Sequence, residues 1–389
     1  MKKFYEFFAG SGMARAGLGA AWKCAFANDF DHKKGQAYRQ NWGAEDLFIG
    51  DVKSVTLDQL HEKVNLIWAS FPCQDLSLAG AGAGLRGERS GTFWPFWSLV
   101  KQKIASGQSP EIIALENVCG MLTSHKGEDF AAICSAFNDI GYKFGAMVID
   151  ASLFLPQSRP RLFIIGVRDD IELADGMTTT APTKNWHTRT LLKAYENLPH
   201  TVKHNWIWWD LPVPEKREVV FADLVESNPE SVKWHSPEET AQILGMMTTV
   251  NLAKVEAARI QSKSENKKVV GTIYKRTRTD TNGVKAQRAE VRFDDVAGCL
   301  RTPGGGSSRQ VIMVVEKGTV WTRLISSRET ARLMGLPDDY MLPKNYNEAY
   351  HLTGDGVVVP VVSYIARHIF DPLLDNFAEV ERAIYKQIA

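Results

Sequence analysis

A series of short, mostly apolar runs separated by helix-compatible text fills the first 170 residues and limits what the chain can fold into. The runs are Lys3–Phe8, Cys24–Asn28, Val64–Ser70 (VNLIWAS), Ile112–Leu115 and Leu162–Val167 (LFIIGV), and Met13–Trp22 supplies helix-forming residues between the first two. Continuous apolar strands of this kind belong to a parallel sheet covered on both faces. Their alternation with helices predicts a doubly wound α/β domain. With 389 residues, 44% hydrophobic and 23% charged, the chain can bury a substantial core, which excludes collagen-like, disordered and mini-protein classes.

No run of about 18 apolar residues occurs, so no membrane-spanning helix is expected. The start of the chain has no signal-peptide core. The cysteines Cys24, Cys73, Cys119, Cys134 and Cys299 are odd in number and lack metal-ligand spacing, a pattern suited to reduced thiols in a cytoplasm; no metal site is expected. A net charge of +1 means that a polyanionic partner must meet a local basic surface.

Ligands of an open parallel sheet sit beyond the carboxyl ends of its strands, so the residues just after each strand are the candidates for function. The first strand runs into Phe8-Ala9-Gly10-Ser11-Gly12-Met13 and the second into Asp29-Phe30. A further segment ends in Gly50-Asp51-Val52, VNLIWAS leads to Phe71-Pro72-Cys73-Gln74, and IIAL leads to Glu116-Asn117-Val118. Five candidate groups thus fall on one rim. The glycine loop allows close backbone approach to a ligand, although a bare tight turn fits it equally. Arg15 stands where a dinucleotide fingerprint needs its third glycine. Asp29 is placed for a ribose hydroxyl, and Phe8 or Phe30 for stacking on a purine, with core packing as the alternative for each ring.

Cys73 lies in a Pro-Cys dipeptide on a loop, and a nucleophilic thiolate needs such partial exposure and a positive setting. The next stretch, Leu78–Gly91, supplies Arg86, Arg89 and enough glycine to act as a lid. A carboxylate leaving an apolar run, as Glu116 does, needs a partner. Gln157-Ser158-Arg159-Pro160-Arg161 offers two guanidiniums, which point the same way if the segment is extended.

With these motifs in this order, the chain resembles the cytosine-C5 DNA methyltransferase family. The similar segments are Phe8–Gly12, Asp29-Phe30, Asp51, Pro72-Cys73-Gln74, Glu116–Val118, Gln157–Arg161 and Arg328–Pro337, covering about residues 4–167 and 323–371. The resemblance implies a Rossmann-like methyltransferase sheet with a smaller inserted target-recognition domain. It further implies S-adenosylmethionine as cofactor, held by Phe8, Ala9, Gly10, Ser11, Gly12, Met13, Asp29, Phe30, Asp51, Val52, Pro72 and Asp355. Cys73 would attack C6 of a flipped cytosine. Glu116 would hold its N3 edge, Arg161 its O2, and Arg159 would orient Cys73 and Glu116. One departure stands out: Gly354-Asp355-Gly356-Val357 has Asp where the family carries Asn.

The expected division is a catalytic domain at 1–170, a target-recognition insert at 171–322 and a return to the catalytic domain at 323–389. In the insert, Pro237–Ser264 reads as helical, and Trp206, Trp208 and Trp209 as a small core. Lys267–Arg292 carries eight basic residues against Asp280 and Glu290, a local balance of +6. Lys275, Arg276 and Arg278 are read there as DNA-contacting, with Arg86, Arg301, Gly304, Gly305 and Arg309 elsewhere; a solvated charged face is the alternative. The expected partner is double-stranded DNA, with a functionally paired restriction endonuclease, in a bacterial or phage-infected cytoplasm. Competing readings are the family's tRNA-methylating branch, a nicotinamide-dependent oxidoreductase and a non-catalytic DNA-binding relative.

Overall fold

The protein is described from a computed structural model covering residues 1–72, 92–279, 283, 285–302 and 309–378. It divides into two compact units. One comprises Met1–Asp150, Pro160–Pro214 and Val357–Ala389, and the other Ala151–Arg159 and Glu215–Gly356.

The first unit is built on seven strands: β1 Lys2–Phe7, β2 Trp22–Asp29, β3 Leu47–Ile49, β4 Leu66–Ala69, β5 Ile112–Val118, β6 Tyr142–Asp150 and β7 Pro160–Arg168. Their order is β3-β2-β1-β4-β5-β7-β6. Pairings among β1 to β5 are parallel, whereas β7 runs antiparallel to both β5 and β6. The expectation of a uniformly parallel sheet is corrected at LFIIGV. Apolar content shows that a strand is buried on both faces and is silent about its direction. The reversal has a chemical consequence, because it brings the start of β7 to the rim where β5 ends, with Arg161 opposite Val118.

Four helices, α1 Met13–Leu18, α2 His32–Trp42, α3 Phe93–Ala105 and α4 Glu128–Asp139, accompany the strands. Helices α3 and α4 bury Phe93, Phe96, Trp97, Phe130 and Phe137 in one apolar cluster with Phe7, Ile113, Leu115 and Ile164 from the sheet. The return segment is tied to the start of the chain: Lys2 Nζ donates to Asp371 at 2.8 Å and Trp22 Nε1 to the same carboxylate at 3.2 Å. Helix Val359–Ile365 lies so close to α1 that a Cβ on Gly17 would stand 2.4 Å from that of Val362.

Residues 171–214 also belong to the first unit, which shifts the expected boundary after residue 170. The cause is backbone pairing onto β6: Phe144 N donates to Asn205 O at 2.9 Å and Ile207 N to Phe144 O at 2.6 Å. Trp206 packs on Phe130 and Phe144, and Trp209 Nε1 donates to Ile165 O at 3.3 Å. The tryptophan cluster therefore extends the core of this unit and is not the core of the insert.

The second unit holds a four-stranded antiparallel sheet made of Val269–Thr279, Lys285–Arg292, Val311–Glu316 and Thr319–Leu324. Two helices, Pro237–Gly245 and Thr249–Ser264, cover one face, where Ile243, Met247, Val255 and Ala258 meet Ile273, Val291, Val311 and Met313. The sequence reading of this region gives a helix at Pro237–Ser264 and a basic run at Lys267–Arg292 but no strands, so this sheet emerges only from the structure. Residues 323–356 stay with the second unit because Arg323 and Glu329, both fully buried, pair at its centre, while Gln157 Nε2 donates to Leu333 O at 2.6 Å.

Among the described residues, one helical stretch, Tyr346–Ala378, is long and apolar enough to cross a membrane by length and composition, where the sequence leads one to expect none. It is interrupted at Gly356 and Val358, whose backbones are extended, and Ile365, Phe370 and Leu373 within it are buried in protein.

Candidate active site

The rim at the carboxyl ends of the strands contains a topological switch between β1 and β4, the crevice in which such sheets bind ligands. Leaving β1, the chain makes a turn at Phe8 (φ 56°), Gly10 (φ 58°) and Gly12 (φ 82°). Left-handed backbone costs a non-glycine residue roughly 1–2 kcal/mol, so Phe8 is a strained position of the kind found at ligand sites. Among the described residues nothing lies within 4 Å of the point where a Cβ on Gly10 would be, so on that side they leave the turn open to a ligand. Ala9 N is held by Asn28 O at 2.9 Å, and Ala9, Ser11 and Met13 are buried.

Asp29, ending β2, accepts from Gly10 N at 2.7 Å and from Asp31 N at 2.8 Å. Burial pushes its carboxyl up from the ordinary value, while Lys34 and the two amides oppose the shift. Phe30, next in sequence, is 74% exposed, an apolar ring left in water beside the turn. Phe8 is partly buried and meets Phe96 edge-on at 6.0 Å. After β3, Asp51 accepts from Lys53 N at 2.9 Å and so caps a short helical turn in which Val52 is buried. Asn28 Nδ2 pins this end of β3 by donating to Phe48 O at 3.2 Å and Gly50 O at 2.9 Å, a role with no signal in the sequence.

Glu116, 6% exposed on β5, pairs with Arg161 on β7 at 3.3 Å. The pairing expected from the sequence is thus formed by one of the two arginines. Because β7 begins at Pro160, the extended alternation does not reach Arg159. Its guanidinium, 2% exposed, donates to Leu300 O at 2.9 Å, Gly354 O at 2.8 Å and Gly356 O at 2.7 Å, all in the second unit. These bonds hold the carbonyls on either side of Asp355, whose carboxylate accepts from the Thr302 hydroxyl. Asn117 Nδ2 donates to Phe71 O at 3.3 Å and so joins the ends of β5 and β4 just ahead of Pro72.

Cys73, Arg86, Gly304 and Gly305 lie outside the described residues. Burial pushes Cys24 up to about 12, Cys119 to about 11 and Cys134 well above its ordinary value, so none of these three thiols is suited to supply a thiolate at neutral pH. Among the described residues no His, Cys, Asp and Glu cluster fit for a metal ion occurs.

In the second unit, Lys275, Arg276 and Arg278 lie on the outer half of the hairpin Val269–Thr279 and Lys285–Arg292, with Arg276 opposite Arg288. Arg276 and Arg278 are exposed, and both pair with Glu290, at 3.6 and 2.5 Å. Arg301 is exposed, while Arg309 bonds to Asn347 and lies 5.7 Å from the Tyr346 ring.

An open glycine turn, a fixed carboxylate beside it and an exposed ring, on a doubly wound sheet with one reversed strand, define a Rossmann-like methyltransferase. A family profile described as C-5 cytosine-specific DNA methylase matches residues 2–371. The chain belongs to that family: it is a DNA cytosine-5 methyltransferase, with S-adenosylmethionine as its methyl donor.

Among known proteins, it is 25% identical over 369 residues to the type II methyltransferase M.HhaI of Haemophilus parahaemolyticus, covering 94% of each chain. It is 26% identical over 373 residues to the type II methyltransferase M.BsuFI of Bacillus subtilis, covering 95% of this chain and 73% of that one. Among solved structures, the S. pombe Dnmt2 methyltransferase superposes with a TM-score of 0.56 at 16% identity, covering 96% of this chain and 99% of that one. A putative DNA modification methyltransferase encoded within an E. coli prophage gives 0.57 at 17%, covering 96% and 100%. At such identities the structures speak for the fold alone.

Proposed function

We propose that the chain methylates a cytosine flipped out of double-stranded DNA, with Cys73 as nucleophile and Glu116 and Arg161 holding the base. The observation that carries this reading is the Glu116–Arg161 pair, nearly buried at the end of β5 on the rim that also bears the glycine turn. Cytosine C5 is a poor nucleophile within an aromatic ring. Addition of the Cys73 thiolate to C6 breaks the aromaticity and makes C5 enamine-like. Glu116 donates a proton or hydrogen bond to N3 as charge develops there, and Arg161 supports O2, charge stabilisation of the kind that fixed groups supply most effectively. Bound S-adenosylmethionine supplies an electrophilic methyl to C5. Loss of the C5 proton and expulsion of the Cys73 sulfur then restore the ring. A duplex hides C5, so the base must leave the stack at a cost of a few kcal/mol.

The residues around the turn fit the cofactor. Gly10 leaves room for it, Phe30 offers an uncovered face for adenine, and Asp29 presents a fixed acceptor for ribose hydroxyls; Asp51 is assigned to the adenine amino group. Phe8, Ala9, Ser11, Gly12, Met13, Val52, Pro72 and Asp355 complete the proposed binding set. Arg159, which also holds the 354–356 backbone, is assigned to orienting Cys73 and Glu116. Lys275, Arg276, Arg278, Arg301 and Arg309, with Arg86, Gly304 and Gly305, are assigned to the duplex. A paired restriction endonuclease and a bacterial or phage-infected cytoplasm complete the proposal.

Transfer of tritium from labelled S-adenosylmethionine tests it. Label is expected in duplex DNA, not in tRNA, and is expected to be lost in Cys73→Ala. Label in tRNA alone, or undiminished transfer by Cys73→Ala, would overturn the assignment.

A further inference from the structure

Arg15 occupies the place of a third fingerprint glycine, and nothing in the proposed chemistry uses it. Its guanidinium lies 5.0 Å from the Trp42 ring and 5.7 Å from that of Tyr38. Nη1 donates to Tyr38 Oη at 2.9 Å and lies 3.3 Å from Asp46 Oδ2. Trp42, the last residue of α2, in turn donates from Nε1 to Ser11 O at 3.0 Å. The indole presses so closely on the turn that a Cβ on Gly12 would stand 2.4 Å from Nε1.

From this geometry we infer that Trp42, clamped by Arg15, is a positioning residue that sets affinity for the adenosyl cofactor by fixing the Gly10–Gly12 turn from behind. In the peptide between the two left-handed glycines the Gly12 amide donates to Ala9 O at 2.8 Å, and the Ser11 carbonyl is its second handle. Trp42 supplies the donor that holds it, leaving the other side of the turn open at Gly10. A flat ring on a flexible glycine turn needs its own restraint. The guanidinium provides one, and Tyr38 and Asp46 keep the guanidinium in place; cation–π contacts of this kind strengthen as water is excluded. A third glycine would give close helix–strand packing; this chain instead builds a stacked buttress at that position. The inference rests on the cofactor assignment made above.

The test uses the full chain without DNA and S-adenosylhomocysteine as the calorimetric probe. Trp42→Phe keeps a ring and removes the N–H, and Arg15→Met removes the clamp while retaining bulk. Each is expected to weaken binding about tenfold, the scale of one hydrogen bond, and to raise KM for S-adenosylmethionine in parallel. The double variant should lose little more than either single one, because both act through the indole. Values of kcat at saturating cofactor and KM for DNA should stay within about twofold. Arg15→Lys, which keeps the charge, should recover part of the loss. Unchanged affinity in a folded Trp42→Phe, additive losses, or equal losses in kcat and in KM for DNA would overturn the inference. Failure of the wild-type chain to bind S-adenosylhomocysteine would overturn the cofactor assignment itself and the inference with it.

Discussion

Glu6, one residue before the end of β1, shows how a single buried group shapes the pH response. One carboxyl oxygen accepts from Arg15 N at 3.4 Å, and the other is buried with no hydrogen-bond partner among the described residues. Burial outweighs the nearby amides and Arg15 and pushes the carboxyl up to about 8, from an ordinary value of 4.5. The folded protein therefore keeps a proton that the unfolded chain releases. Between those two values Glu6 makes stability fall as pH rises, because the unfolded state binds fewer protons. Glu6→Gln removes that titration while keeping the shape. The melting temperature of the variant relative to wild type should rise from pH 5 to pH 8.5; a constant difference would show that Glu6 is ionised in the fold. At this scale the sequence is informative where chemistry follows from residue type alone: Glu116 needs a cation and finds Arg161. It is silent on Asn28, Asn117 and Trp42, whose roles depend on which carbonyl lies within reach after folding.

Apolar continuity makes some elements legible, although Val311–Glu316 (VIMVVE) is as continuous and is not among the strands read in the sequence. LFIIGV and VNLIWAS read directly as strands, whereas Tyr142–Asp150 and Lys285–Arg292 mix polar and small residues and escape such a reading. Strand direction has no signature in composition, so the reversal of β7, on which the meeting of Glu116 and Arg161 depends, emerges only from pairing. The hairpin Val269–Thr279 with Lys285–Arg292 carries its own prediction. Its inner half, including Ile273 and Val291, is core, and its outer half presents Arg276 and Arg278 to solvent. If those side chains meet phosphates, replacing both with Ala should weaken binding of unrelated DNA sequences equally. The slope of log affinity against log salt should also fall by about 2, close to 1 for each cation removed. An unchanged slope would assign the basic run to a solvated face.

For the whole molecule, the motif order along the chain points to the family, and the family profile spans residues 2–371. Unit boundaries have no such marker, because residues 171–214 and 323–356 join their units through individual backbone and buried ionic contacts. The proposed chemistry turns on a covalent bond between Cys73 and a base held by Glu116 and Arg161. The most direct measurement uses a duplex containing the chain's own target site, found by bisulfite sequencing of DNA from expressing cells, with 5-fluorocytosine at the methylated position. Fluorine at C5 blocks the final proton loss, so the protein should be trapped on this duplex in the presence of S-adenosylmethionine. Mass spectrometry should place the link on Cys73, trapping should be slowed about 100-fold or more by Glu116→Gln, and Cys73→Ala should form no adduct. Robust methylation of the natural site with no trapped species, or a link to any other residue, would contradict the mechanism.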